Sequence, residues 1–177
     1  MSILVITVIG TDRAGLVSAL AGVVADHGGN WTRSQLAELA GAFAGIVVVE
    51  VPDAHVDAFT ADALAIDGLE VVVQGGREAE AAPRQVTLEV LGNDRPGIVK
   101  EISRVVARHG LSILELTTDT REAPMTGGRL FEARLVVEVT ETALLNDKLE
   151  TAAQLAKIRA EGARIALDDF GTGYSAL

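Results

Sequence analysis

Val8-Ile9-Gly10-Thr11-Asp12-Arg13-Ala14-Gly15-Leu16-Val17 returns 82 positions later as Val90-Leu91-Gly92-Asn93-Asp94-Arg95-Pro96-Gly97-Ile98-Val99. The echo runs on through Val23-Val24-Ala25-Asp26-His27-Gly28 and Val105-Val106-Ala107-Arg108-His109-Gly110. A repeat that spans a strand end, a glycine-bearing turn and a whole helix marks a duplicated domain. The turn it preserves is the expected ligand site, because bare glycine beside a helix N-terminus leaves backbone N–H groups open to an anion.

Working outward, 177 residues at 49% hydrophobic content suffice for one large domain or two small ones, and the repeat decides for two. There is no cysteine, so disulfides and thiolate metal sites are excluded, and a reducing cytoplasm is the expected location. The opening Met-Ser-Ile-Leu-Val-Ile-Thr-Val run lacks the basic flank and length of a signal peptide, and no apolar run reaches the ~20 residues of a membrane span. A formal charge of −10 and an aromatic content of 3% argue against direct nucleic-acid binding, which draws on clustered cations and stacking rings. Small ligands and protein partners remain.

The hydrophobic periodicity predicts β-α-β-β-α-β twice, an α+β organisation. In the first half the strands are Ile3–Ile9, Trp31–Leu39, Phe43–Val51 and Leu69–Gln74. The helices carry the Leu16, Val17, Leu20, Val23, Val24 stripe and then run from an Asp53 cap to about Ile66. In the second half the strands are Gln85–Leu91, Ser112–Thr120, Leu130–Val139 and Arg164–Leu167, with helices on the Ile98, Val99, Ile102, Val105, Val106 stripe and from about Thr142 to Glu161. The segment around Gly75 to Pro83 lacks large apolar residues and reads as a linker. The expected organisation is domain 1 at 1–75, linker at 76–83 and domain 2 at 84–177.

This order, with Gly10-Thr11-Asp12-Arg13-Ala14-Gly15 and Gly92-Asn93-Asp94-Arg95-Pro96-Gly97 at the first strand-to-helix turns, resembles the ACT domain, a ferredoxin-like sandwich. Two such modules, with Gly28-Gly29-Asn30-Trp31 in one and Ala123-Pro124-Met125-Thr126-Gly127 in the other, resemble the glycine cleavage system transcriptional repressor family over about residues 1–137. From about 137 to 177 the text changes. Glu138-Val139-Thr140-Glu141-Thr142-Ala143-Leu144-Leu145 and Arg164-Ile165-Ala166-Leu167-Asp168-Asp169-Phe170-Gly171-Thr172-Gly173-Tyr174-Ser175 resemble EAL-type cyclic-di-GMP phosphodiesterases. That resemblance implies metal-holding roles for Glu138, Asp168 and Asp169, and a loop-supporting role for Glu141. The Glu-Ala-Leu motif, the metal-binding Asn and the later Lys, Glu and Gln of that family are missing. A TIM barrel needs eight βα units and about 250 residues, so this piece is expected to serve instead as the last βαβ of the second sandwich, its two strands splayed around the domain's first strand.

The candidate binding residues are Thr11, Asp12, Arg13, Ala14, Gly15 and Asn30 in the first copy and Asn93, Asp94, Arg95, Pro96, Gly97 and Ser112 in the second. Asp12 and Asp94 stand where an N-cap belongs, whereas the backbone beside Gly15 and Gly97 is open to a carboxylate. Arg13 and Arg95 either pair with that carboxylate or lie in solvent. Asn30 and Ser112 either bond an α-amino group or shape a turn. His27 and His109 suit the negative helix ends rather than a metal, Trp31 reads as a core or edge anchor, and Asp168 with Asp169 makes at most a weak metal half-site.

No cofactor, metal or catalytic residue is expected. The leading reading is a cytoplasmic, non-enzymatic amino-acid sensor, with glycine among its candidate ligands, that self-associates and acts on transcription through a protein partner. The alternatives are a bare oligomerisation module and a remnant of a phosphodiesterase fusion.

Overall fold

Ser2–Thr11 is an apolar run whose burial alternates, with Leu4, Ile6 and Val8 buried on the face turned to the core. The structure, a computed structural model, describes residues 1–77, 84–122, 128–139 and 164–168. The chain divides into two compact units, Met1–Ala79 and Glu80–Leu177. The first comprises β1 (Ser2–Thr11), α1 (Leu16–Asp26), β2 (Asn30–Leu39), β3 (Ala42–Val51), a 3-10 turn (Asp53–His55), α2 (Val56–Leu64) and β4 (Glu70–Gly75). Its sheet order is β2-β3-β1-β4, antiparallel throughout. Both helices cover one face, where Leu16, Leu20, Val24, Phe59 and Ala63 close on Ile6, Val47, Val49 and Val71.

The second unit repeats the plan with β5 (Arg84–Asn93), α3 (Ile98–Arg108), β6 (Ser112–Glu122), β7 (Arg129–Val139) and β8 (Arg164–Asp168). Its order is β6-β7-β5-β8, again antiparallel. Ile102 and Val106 of α3 pack on Leu88, Val90, Phe131, Leu135 and Val137. Even the irregularities repeat: the β2 ladder skips a residue between Trp31 and Arg33, and the β6 ladder skips one between Ile113 and Glu115. The two strands expected to splay around the domain's first strand do so, because β5 lies between β7 and β8.

Three expectations change. The helix expected from Asp53 to Ile66 is a 3-10 turn followed by α2, and Asp53 caps neither. Its carboxylate instead accepts the Ser2 hydroxyl at 2.8 Å, which holds its pKa below the ordinary value. Nor are Asp12 and Asp94 N-caps: β1 and β5 run to Thr11 and Asn93, and the N-caps are Gly15 and Gly97, without a side-chain cap. Finally, β4 runs from Glu70 to Gly75, one residue later at each end than the expected Leu69–Gln74. The helix expected from Thr142 to Glu161, the Pro124–Gly127 loop, most of the linker and Asp169 lie outside the described residues.

Candidate functional site

Each repeated turn is assembled from its own backbone. Gly15 (φ 95°) and Gly97 (φ 87°) adopt the left-handed conformation that starts α1 and α3, where a side chain would strain the chain. A Cβ at either would meet nothing within 4 Å, so backbone angle, rather than lack of room, demands glycine. Neither helix has a side-chain cap, so its first turn offers N–H groups at the positive end of the dipole to other acceptors; in α3 the Ile98 N–H reaches the Arg95 carbonyl at 3.4 Å.

The remaining motif residues hold that turn in place. A Cβ on Gly10 would collide with the Gly68 carbonyl oxygen, so the first motif glycine lets the α2–β4 turn sit against β1. The Asp12 N–H donates to the Gly41 carbonyl at 2.9 Å, and the Asp94 N–H to the Arg129 carbonyl at 2.8 Å. Thr11 and Asn93 are the last ladder residues, opposite Ala42 and Leu130. Ala14 and Pro96 are exposed between strand and helix.

Arg13 lies across Gly68, donating to the Asp67 carbonyl and, at 3.0 Å, to the Asp67 carboxylate. Arg95 forms a two-pronged pair with Glu101 of α3, one contact at 2.6 Å, which holds the Glu101 carboxyl below its ordinary pKa. Both guanidiniums therefore already meet a carboxylate of this chain. Asp67, Gly68, Glu101 and Arg129 join the turns although the sequence reading singled out none of them. The Asp67-Gly68 pair was the available signal, a turn dipeptide just before a strand.

Asn30 and Ser112 do not join these turns within a unit. Asn30 begins β2 opposite Glu50, whose β1 partner is Ile3, while the turn follows Thr11. Eight strand positions separate the two, roughly 27 Å along the strand. Ser112, opposite Glu138 and hence level with Gln85, stands equally far from Asn93.

His27 and His109 cap the C-termini of α1 and α3. His27 Nε2 lies 2.8 Å from an Asp62 carboxylate oxygen and its carbonyl meets His55 Nδ1 at 2.9 Å, so its surroundings are structural. Among the described residues no group of three His, Asp or Glu is placed to hold a metal. The EAL-like acids are separated as well. Glu138 stands opposite Gln85 on β7 and Asp168 opposite Thr87 on β8, with β5 between them. The two carrier strands are thus about 9.6 Å apart, twice the spacing of neighbouring barrel strands.

Two α/β sandwiches, each opening on a strand, a left-handed glycine and an uncapped helix, define a tandem of ferredoxin-like domains of the ACT fold. Residues 2–66 match the family model of the ACT domain and residues 121–177 that of the EAL domain. The first unit accordingly has the ACT fold and matches that family's model, and the second repeats the fold with an EAL-like segment built in. A crystal structure of an unknown protein from Galdieria sulphuraria superposes with a TM-score of 0.83 at 27% identity, covering 96% of this chain and 99% of that one. A candidate glycine cleavage system transcriptional repressor superposes with a TM-score of 0.66 at 15% identity, covering 95% and 98%, which is a likeness of fold. An uncharacterised signalling protein of Caulobacter vibrioides is 45% identical over 62 residues, 35% of this chain. The match spans only 8% of that relative's length.

Proposed function

We propose that this chain is a regulatory protein that senses a small amino acid and acts through a protein partner, in the manner of a glycine cleavage repressor, in the cytoplasm. One observation carries the reading. The duplication has kept, in both copies, a left-handed glycine that starts an uncapped helix four residues after a strand ends, with an arginine two residues before the glycine. The glycine leaves each helix without the side-chain acceptor that a Ser or Asp supplies at an ordinary N-cap. A carboxylate ligand would supply the missing acceptors. The site is centred on Thr11–Gly15 and Asn93–Gly97, and Asn30 and Ser112 have no place in it within one unit.

Glu101 shapes the test. It holds Arg95, so a ligand carboxylate competes with it, and Glu101→Gln should tighten binding while Arg95→Ala weakens it by about 1–3 kcal/mol. Thermal shift and calorimetry with glycine, serine, alanine and the branched-chain amino acids read this directly. Ligand at 100 times its Kd stabilises the fold by about 2.7 kcal/mol. No shift with any of these ligands would end the sensor reading and leave an oligomerisation module.

The EAL match favours a second reading, a remnant of a phosphodiesterase fusion. The β5 strand inserted between β7 and β8 supports a structural rather than catalytic use of that segment.

A further inference from the structure

Asp67-Gly68 is the one place in the chain where an aspartate or asparagine is followed by glycine, the pairing in which a side-chain carboxyl meets the least hindered peptide nitrogen. The pair forms the tip of the turn between α2 and β4. The Leu69 N–H donates to the Ile66 carbonyl at 3.3 Å, Ile66 packs against the core and Leu69 is buried in it. Of the two residues between them only Gly68 has a positive φ, 78°. That is a type II turn, fastened at both ends, with the Asp67 side chain 95% exposed. Its central peptide has two edges. On the carbonyl edge, where a Cβ of Gly68 would stand 2.6 Å from Arg13 Nη2, that nitrogen donates both to the Asp67 carbonyl and, at 3.0 Å, to the Asp67 carboxylate. The nitrogen edge faces the other way, and the hydrogen bond that closes the turn does not use it.

We propose that Asp67-Gly68 is a modification site, converting through a succinimide to isoaspartate, and that Arg13 restrains it by holding the carboxylate on the carbonyl edge. In ring closure the Gly68 nitrogen bonds to Asp67 Cγ and gives up its proton, Cγ gives up a hydroxyl, and the two leave as one water. Hydrolysis returns that water to the ring. At Cγ it restores aspartate; at the former backbone carbonyl it leaves isoaspartate, whose main chain runs through Cβ and Cγ. Nothing is oxidised or reduced, and water is the only co-reactant. The hold is an exposed ion pair, so it slows closure rather than forbidding it.

The product alters the neighbouring motif. The Gly68 carbonyl occupies the place that a Cβ of Gly10 would take, and Glu70 is already paired with Ile9, so the extra backbone methylene has to be absorbed between Ile66 and Glu70. Isoaspartate there displaces both acceptors that hold Arg13 beside the Thr11–Gly15 turn. The inference does not depend on ligand sensing, since the ring closes without a ligand.

Ageing the full chain at neutral pH tests it. Isoaspartate is read by methyl transfer from S-adenosylmethionine with a protein isoaspartyl methyltransferase and placed by peptide mapping, with the free peptide Ala65–Glu70 as the unrestrained reference. The parent should convert at Asp67 more slowly than the peptide. Arg13→Ala should convert roughly two- to five-fold faster than the parent, the range to which the hold of an exposed ion pair corresponds. Circular dichroism and the melting temperature identify folded variants, and Arg13→Gln, which keeps most of the side chain but not the charge, should show the same acceleration if Arg13→Ala does not fold. Asp67→Glu should abolish the signal, because closure there would need a six-membered ring. No conversion at Asp67 in the parent or a folded arginine variant once the free peptide has converted overturns the site, as does a signal that survives Asp67→Glu. Equal rates in the parent and the folded arginine variant overturn the role of Arg13.

Discussion

Gly10, Gly15 and Gly22 lie within thirteen residues and answer three different physical demands. At Gly10 the Gly68 carbonyl occupies the space of a Cβ; at Gly15 the space is open but φ is 95°; at Gly22, inside α1, neither restriction holds. The same alanine substitution should therefore change sign along this stretch. Gly10→Ala should destabilise by about 1–3 kcal/mol through overpacking and Gly15→Ala by about 1–2 kcal/mol through left-handed strain. Gly22→Ala should stabilise by about 0.5–1 kcal/mol by restricting the unfolded chain. Urea midpoints of the three variants check the order, and a destabilised Gly22→Ala would contradict an unobstructed helix position. The repeat made Gly10 and Gly15 visible in the sequence but could not say why each is glycine, because the reason at Gly10 is a carbonyl 58 positions away.

At the scale of elements, β8 does for the second sheet what β4 does for the first. β4 pairs with β1 from Leu4 to Ile9, and β8 with β5 from Thr87 to Leu91. Without β8 the N–H and C=O groups on that side of β5 lose their partners and become an open edge. Truncation after Val139 should therefore lower the melting transition of the second unit and promote association, while leaving that of the first unchanged. Differential scanning calorimetry with light scattering would show it, and an unshifted second transition would mean that β8 contributes nothing to the sheet. Strand existence here was legible from the apolar runs. The starts of α1 and α3 were not, because β1 and β5 extend through the glycine that the motif placed in a turn, and the Asp12 N–H is spent on Gly41.

For the whole molecule, the separation of Glu138 from Asp168 by a complete strand makes a shared metal between them geometrically remote. Incubation with cyclic-di-GMP and Mg²⁺ or Mn²⁺ should give no turnover above a no-protein control. Turnover that disappears in Asp168→Asn would overturn this and restore the catalytic reading of the tail. No helix among the described residues is long and apolar enough to cross a membrane, in line with the absence of an apolar span in the sequence.

By itself the sequence determined the duplication, the βαββαβ order of the first unit and the ACT-like identity of the turns. These are local properties: alternation along a strand, helical spacing and glycine punctuation are written in neighbouring residues. Only the tertiary structure decided what those residues meet. It set Arg13 on Asp67, Arg95 on Glu101, and Asn30 at the far end of the sheet from Gly15. It also placed β5 between two strands that a barrel would hold side by side. The reason is that strand pairing joins segments tens of residues apart, and the partner of an edge is chosen by the packing of the whole sheet rather than by the residues of either strand.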